Sequence, residues 1–313
     1  MRNRSALAAA AILVAVAASA CSSSSATFPA GGAAGGSGGA SGVPAVNPND
    51  PQSIVDHVLG NGQQLIGGSQ VVKSFHVKAA INGTIKASGL SGLSQSAAGL
   101  VTSDIKLDGT ALEGDVDVVN KAAHVTFSMP AIQALGGKAI SADIIYIGSA
   151  VYVKTDLLGA KYNKLDASSL SGLTAALPVS LPTAGASTLT NVSNQVTSIQ
   201  QQLQDAGAKA TLVGTEKIGG KDAYHVNISL PADKINSMIA AKASPSAAPL
   251  TVDSVSIDLW AYTDTYNLAQ LEVKGAASAL GNLDLIVTVT NYDQPVTVTA
   301  PDPSAVQTFG LGS

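Results

Sequence analysis

Four histidines, three alternating carboxylates and one cysteine are the residues of this 313-residue chain best placed by type and spacing to do chemistry. His57, His76, His124 and His225 stand apart, without the HExxH or H-x-H spacing that brings two imidazoles to one metal ion. His76, His124 and His225 each fall on the polar phase of an alternating segment, which predicts exposed surface histidines rather than metal ligands. Glu113, Asp115 and Asp117 share one phase and could attract Ca²⁺. The turn glycine and ligand spacing of a calcium loop are missing, so a solvated strand face is expected. Serine and glycine abound, yet no G-x-S-x-G elbow, phosphate loop or dinucleotide glycine pattern occurs. With no nucleophile–base pair legible, the chain is not expected to be an enzyme, and no metal or cofactor is expected.

Cys21 is different. Arg2 and Arg4 open the chain, Ala6 to Ala18 runs without a polar side chain, and Ala18-Ser19-Ala20 brings small residues up to the thiol. A charged start, a short apolar run and a small-residue cleavage site describe an export signal over residues 1–20, too short to stay in a bilayer as a span. The pattern resembles a bacterial lipobox with alanine at the usual leucine position, which implies that Cys21 becomes an acylated N-terminus. Residues 21–49 are then a linker, nearly all Ser, Ala, Gly, Pro and Asn. Such a segment cannot bury enough apolar surface to offset its ordering entropy. As a Gly-rich coil it has a root-mean-square span of roughly 30 Å. The expected location is the extracytoplasmic face of a cell membrane, held by the acyl anchor.

Composition excludes several partners. Charged residues are only 12% of the chain and aromatics 4%, so the core must be built from Ala, Val, Ile and Leu. Without residues 1–20 the chain keeps 15 basic and 21 acidic residues, a formal charge of −6 against −4 for the whole. It has no basic face for nucleic acid and no polybasic patch for anionic lipid. With Cys21 spoken for, no disulfide can form within the chain.

The elements that must position any site begin at Asn49-Asp50-Pro51, a cap and first-turn proline ahead of Ile54, Val55, Val58 and Leu59 on one helical face. From Phe75 the period becomes two, and the alternation recurs through residues 112–118, 124–129, 144–147 and 151–153. Leu189, Val192, Val196, Ile199 and Leu203 repeat at three and four, predicting an amphipathic helix. Strands resume at 210–217 and turn at Gly219-Gly220. A short helix carrying Ile235 and Ile239 follows, then strands at 255–262, 268–274, 283–290 and 296–299, with Pro301 and Pro303 ending the sheet. The reading is α+β, mainly β. About ten antiparallel strands form a large curved sheet whose apolar face the helices cover, in one domain over 50–303 with a tail at 304–313.

This order is similar to the LppX/LprG family of mycobacterial-type cell-envelope lipoproteins. The likeness is carried by Cys21, by Ser74-Phe75-His76-Val77, by Ala142 to Gly148 leading into Val151-Tyr152-Val153-Lys154, by Gly214 to Val226, and by Leu259-Trp260, Leu268 to Leu271 and Asn291 to Val296. The family implies a LolA/LppX-like half-barrel whose concave side encloses an apolar cavity for acyl chains of lipids or lipoglycans. It also implies carriage across the cell envelope and a possible envelope transporter as partner. On that reading Val77, Ala79, Ile81, Val116, Val118, Val125, Phe127, Ile145, Val226, Ile228, Ile257, Leu259, Leu271 and Leu285 line the cavity, and Leu189, Val196 and Leu203 close it. The residues alone serve equally for a filled core, that of a non-catalytic envelope adaptor without a lipid ligand. Trp260 and Tyr262 fit either a headgroup-gripping rim or simple packing on the outer face.

Overall fold

The computed structural model describes residues 46–67, 72–89, 103–131, 137–156, 159–166, 203, 205–242 and 251–308. Helix α1 (Pro51–Gly67) starts where the sequence signals it: the Gln52 backbone N–H donates to Asp50 Oδ1 at 3.1 Å, and proline fills the first turn. Strands β1 (Ser74–Ile85), β2 (Ile105–Lys106), β3 (Thr110–Asp117), β4 (Ala122–Met129), β5 (Ile140–Ile147), β6 (Ala150–Thr155) and β7 (Gly159–Asp166) follow. Then come β8 (Lys209–Ile218), β9 (Lys221–Ser229), helix α2 (Ala232–Lys242), β10 (Ser254–Tyr262), β11 (Leu268–Ala277), β12 (Gly281–Thr290) and β13 (Val306–Thr308). Among the described residues no helix is long and apolar enough to cross a membrane.

All thirteen strands join one open, curved sheet in the order β13-β7-β6-β5-β4-β3-β1-β12-β11-β10-β9-β8, with β2 also on β1. Two antiparallel meanders, β3–β7 and β8–β12, meet at the β1–β12 pair, where His76 faces Thr290 and Ile85 faces Gly281. The strand expected at 296–299 does not form. Instead Val306–Thr308, expected to be tail, runs parallel to β7, and Gln307 Nε2 donates to the buried Asn163 Oδ1 at 2.9 Å. Pro301 and Pro303 interrupt the chain but do not stop a later segment from covering the β7 edge, which would otherwise offer unpaired backbone groups.

Direct cross-strand partners share a face, so register assigns every side chain. On the inner face α1 buries Ile54, Val55 and Val58 against Val226, Ile228, Ile257, Leu259 and Ala261. This is one of the helices expected to cover the sheet, and it lies on β8–β10. Val151, Val153 and Leu165, joined by Ile144 and Tyr146, form a separate inner cluster on β5–β7. Gly114 sits in the inner row between them, where a Cβ would come within 2.3 Å of the His124 carbonyl oxygen. Only glycine permits that approach of β3 to β4.

The outer face carries a small core of its own. Gly219 and Gly220, both at positive φ (59° and 83°), make the tight β8–β9 turn, and a Cβ at Gly219 would meet Thr290 and Tyr262. Ala223, Trp260, Tyr262 and Ala269 are buried there, with Ile218 and Tyr292 beside them. Tyr262 donates to the Val289 carbonyl at 3.2 Å and Tyr292 to that of Leu268 at 2.7 Å. Trp260 and Tyr262 are therefore outer-face packing, not a rim.

Candidate functional site

The inward residues expected to touch a ligand fall into two groups. Val226, Ile228, Ile257, Leu259 and Leu285 are buried in the cluster under α1, with Ile81, Leu271 and Leu203 packed against it. Val77, Ala79, Val116, Val125 and Phe127, on β1, β3 and β4, are half-buried. Register aligns them in inner rows with further apolar side chains: Val77–Gly114–Val125–Ile144, and Ala79–Leu112–Phe127–Ala142. The half of the inner face away from α1 is thus a continuous apolar surface of small and branched side chains.

One expectation needs correction. Ile145 is not on the inner face: it pairs with His124 on one side and Tyr152 on the other, which puts it on the outer face beside the Asp143 row. Its neighbour Ile144 takes the inner place. Val118 lies just past the last residue of β3, where its N–H donates to the Lys73 carbonyl at 2.9 Å and continues the β1–β3 register in phase with Val116. Leu189, Val196 and Cys21 lie outside the described residues. Sequence reading missed Ile144, Tyr146, Val151, Val153 and Leu165 as an inner cluster. The signal was Asp143, whose polar phase marks Ile145 as outer and Ile144 as inner.

The polar groups collect on the outer face. His225 has both ring nitrogens on carboxylates: Nδ1 at 2.9 Å from Glu216 Oε1 and Nε2 at 3.0 Å from Asp258 Oδ1. Its ring stacks on Trp260 with centroids 4.2 Å apart, and Trp260 Nε1 donates to Glu216 Oε2 at 3.0 Å. Asn227 Nδ2 donates to Asp258 Oδ1 at 2.8 Å and Ser256 to Oδ2 at 3.1 Å. The bonds from Trp260 and His225 hold Glu216 below the usual carboxylate range. Burial, the largest influence on Asp258, pushes it up, but the bonds from Asn227, His225 and Ser256 together bring it below its ordinary value.

His76 repeats the theme with Asp115 at 2.9 Å and Glu113 at 3.4 Å, and His124 with Asp143 at 2.7 Å. The three strand histidines are on the polar face as predicted, yet they are paired rather than free in solvent, and the His225 side chain is only 14% exposed. Ser256 bonds to Asp258 and not to His225, so these two side chains do not form a Ser–His nucleophile pair. Among the described residues no group of three His, Cys, Asp or Glu could hold a metal ion.

A cavity of about 450 Å³ opens on this same outer face, between β3 and the end of β6. Glu113, Thr126, Ser128, Ser141, Asp143, Lys154, Thr155 and Asp156 line it together with the apolar Ala111, Phe127 and Ala142. Tyr162 borders it, donating to Asp143 Oδ2 at 2.7 Å, and burial followed by that carboxylate pushes its hydroxyl up to about 12.

No family model and no curated protein matches the chain. Among solved structures it is similar to the lipoprotein LppX of Mycobacterium tuberculosis, at 17% identity and a TM-score of 0.38, over 77% of this chain and 98% of that one. It is also similar to LprF of Mycobacterium bovis, at 15% identity and a TM-score of 0.43, over 80% and 99%.

Proposed function

We propose that this chain is an extracytoplasmic lipoprotein, anchored in the cell membrane through acylated Cys21, that binds acyl chains of lipids or lipoglycans and carries them across the envelope. The observation that carries this reading is the half-buried apolar surface of β1, β3 and β4, with Val77, Ala79, Val116, Val125 and Phe127 facing inward. The export signal, the lipobox and the sequence likeness to the LppX/LprG family support it. The packed half under α1 holds the sheet, and the hydrocarbon lies on the other half. Each methylene moved from water onto that surface contributes about 0.8 kcal/mol, so two acyl chains suffice for tight binding without any charged contact. Transfer needs no bond to be made or broken. The tether limits the search, and lipid partitions between bilayer and protein.

The test is mass spectrometry of the chain produced without residues 1–21. Native-mass adducts matching diacyl or triacyl lipid, released by solvent extraction, are expected. The bare polypeptide mass, after purification from lipid-replete cells and after incubation with vesicles, points instead to a solid-core envelope adaptor.

A further inference from the structure

We propose that the outer groove between β3 and β6 is a binding site for a neutral saccharide. It lies across the sheet from the apolar surface, so it stands or falls separately from the acyl-binding reading. Its volume, about 450 Å³, is that of a small-molecule site. Its walls set Ala111, Phe127 and Ala142 among hydroxyls, carboxylates and one ammonium, a mixture that suits a polyol, whose C–H faces lie on apolar groups while its hydroxyls meet polar ones.

The donors and acceptors are placed by register. Glu113, Thr126, Asp143 and Lys154 form one outer row across β3, β4, β5 and β6, and Ser128 lies on the same face of β4. Each keeps capacity after its internal bonds. Thr126 spends its proton on the Glu113 carbonyl at 3.1 Å and keeps its oxygen lone pairs. Both bonds from Ser141 to Asp156 fall on Oδ2, leaving the other oxygen unused by that partner. Glu113 meets His76 and Lys78 only at 3.4 and 3.8 Å. Sugar hydroxyls each donate once and accept from others, which matches carboxylates that accept, an ammonium that donates and serines that do both.

Charge argues against the rival ligands. Asp143 is already bonded on both oxygens, by His124 and Tyr162, and Asp156 on one by Ser141, while Glu113 keeps only its longer contacts to His76 and Lys78. Lys154 stands in the same row as Glu113 and Asp143, with its Nζ 5.8 Å from the Tyr162 ring centroid, where it repels a metal ion or an amine. Three carboxylates likewise repel an anionic sugar. What remains is an uncharged polyol.

The experiment uses the full acylated chain in an amine-oxide detergent, which carries no sugar headgroup. Isothermal titration and saturation-transfer NMR are run with maltotriose, mannotriose, a trigalacturonate, putrescine and calcium chloride. At least one neutral trisaccharide is expected to bind with a Kd of about 1 mM or tighter. Ser128→Leu, which fills the groove without breaking an observed bond, and Asp156→Asn should each weaken it about tenfold or more, with unchanged thermal unfolding for Ser128→Leu. The proposal is overturned if no neutral sugar binds, if only the cations or the acidic sugar bind, or if sugar binding survives Ser128→Leu.

Discussion

Two alanines on the inner face separate a filled core from an open one. Ala261 is fully buried among the residues under α1, whereas Ala79 is half-buried on β1, opposite Leu112 of β3 and Val287 of β12. A phenyl group at position 261 has no room, and overpacking of this kind costs about 1–3 kcal/mol. In a domain of this size each kcal/mol lowers Tm by about 2–4 °C, so Ala261→Phe should melt several degrees early. At Ala79 the same group meets the apolar surface assigned to lipid. Stability should stay within about 0.5 kcal/mol of the parent. Lipid binding should fall instead: a ring that displaces about four methylenes forfeits about 3 kcal/mol, more than a hundredfold in affinity. Differential scanning calorimetry on delipidated protein gives the first quantity, and extracted lipid per mole of protein the second. Equal destabilisation by both substitutions refutes the reasoning, because it means that side chains already fill the space over β1.

Other perturbations probe the scaffold. Ile54, fully buried under the sheet, should cost about 2–5 kcal/mol as Ile54→Ala by chemical denaturation. Glu216 and Asp258 both have folded carboxyls below their ordinary values. Their stabilisation is therefore complete above the ordinary carboxylate range and is lost as pH falls through the depressed folded values. Fluorescence of the sole tryptophan, Trp260, follows this limb, and Glu216→Gln should flatten it. Asp284 is the opposite case: burial, then Glu272, push its carboxyl up, and its Oδ1 is buried without a partner. Its ionised form opposes folding as pH rises through that raised value, so Asp284→Asn should be neutral or stabilising by about 1 kcal/mol at pH 7, measured by urea midpoint.

Much of the fold was legible because alternation in this chain is clean. His76, Lys78, Glu113, Asp115, His124 and Thr126 mark one phase, and the cross-strand register puts all of them on one face. The cap at Asp50 and the Gly219-Gly220 turn were equally plain, since each needs a residue type that few others replace. Phase failed at Ile144-Ile145-Tyr146-Ile147, where an unbroken apolar run hides which side faces in. Only the pairing with β4 resolves it. The β13–β7 pair was out of reach for another reason: a three-residue strand carries almost no periodic signal, and its partner lies 144 residues earlier. The outer groove was invisible because its walls come from four strands, each reading as an ordinary wet face.

How the bulky residues are spent bears on whether the inner face can be open. A close-packed interior needs volume from both sides of a contact. Trp260, Tyr262 and Tyr292 fill the outer face, where the β8–β9 turn folds over them. Tyr224 and Tyr266 stack on each other, and Tyr266 meets His57 of α1 edge-on, near the β10–β11 turn. That leaves Phe75, Phe127 and Tyr146 as the described aromatics of the inner rows of β1, β4 and β5, among valines, isoleucines and alanines. A chain selected for a solid core would place its few large rings between sheet and helix. Here Trp260, Tyr262 and Tyr292 brace the outer face and Tyr224 packs against the cluster under α1, which leaves Phe75 and Phe127 as the rings on the inner rows of β1 and β4. Moving one ring tests this directly: Val125→Trp on the inner row should raise the unfolding midpoint of delipidated protein if space is open, and lower it if the row is already packed.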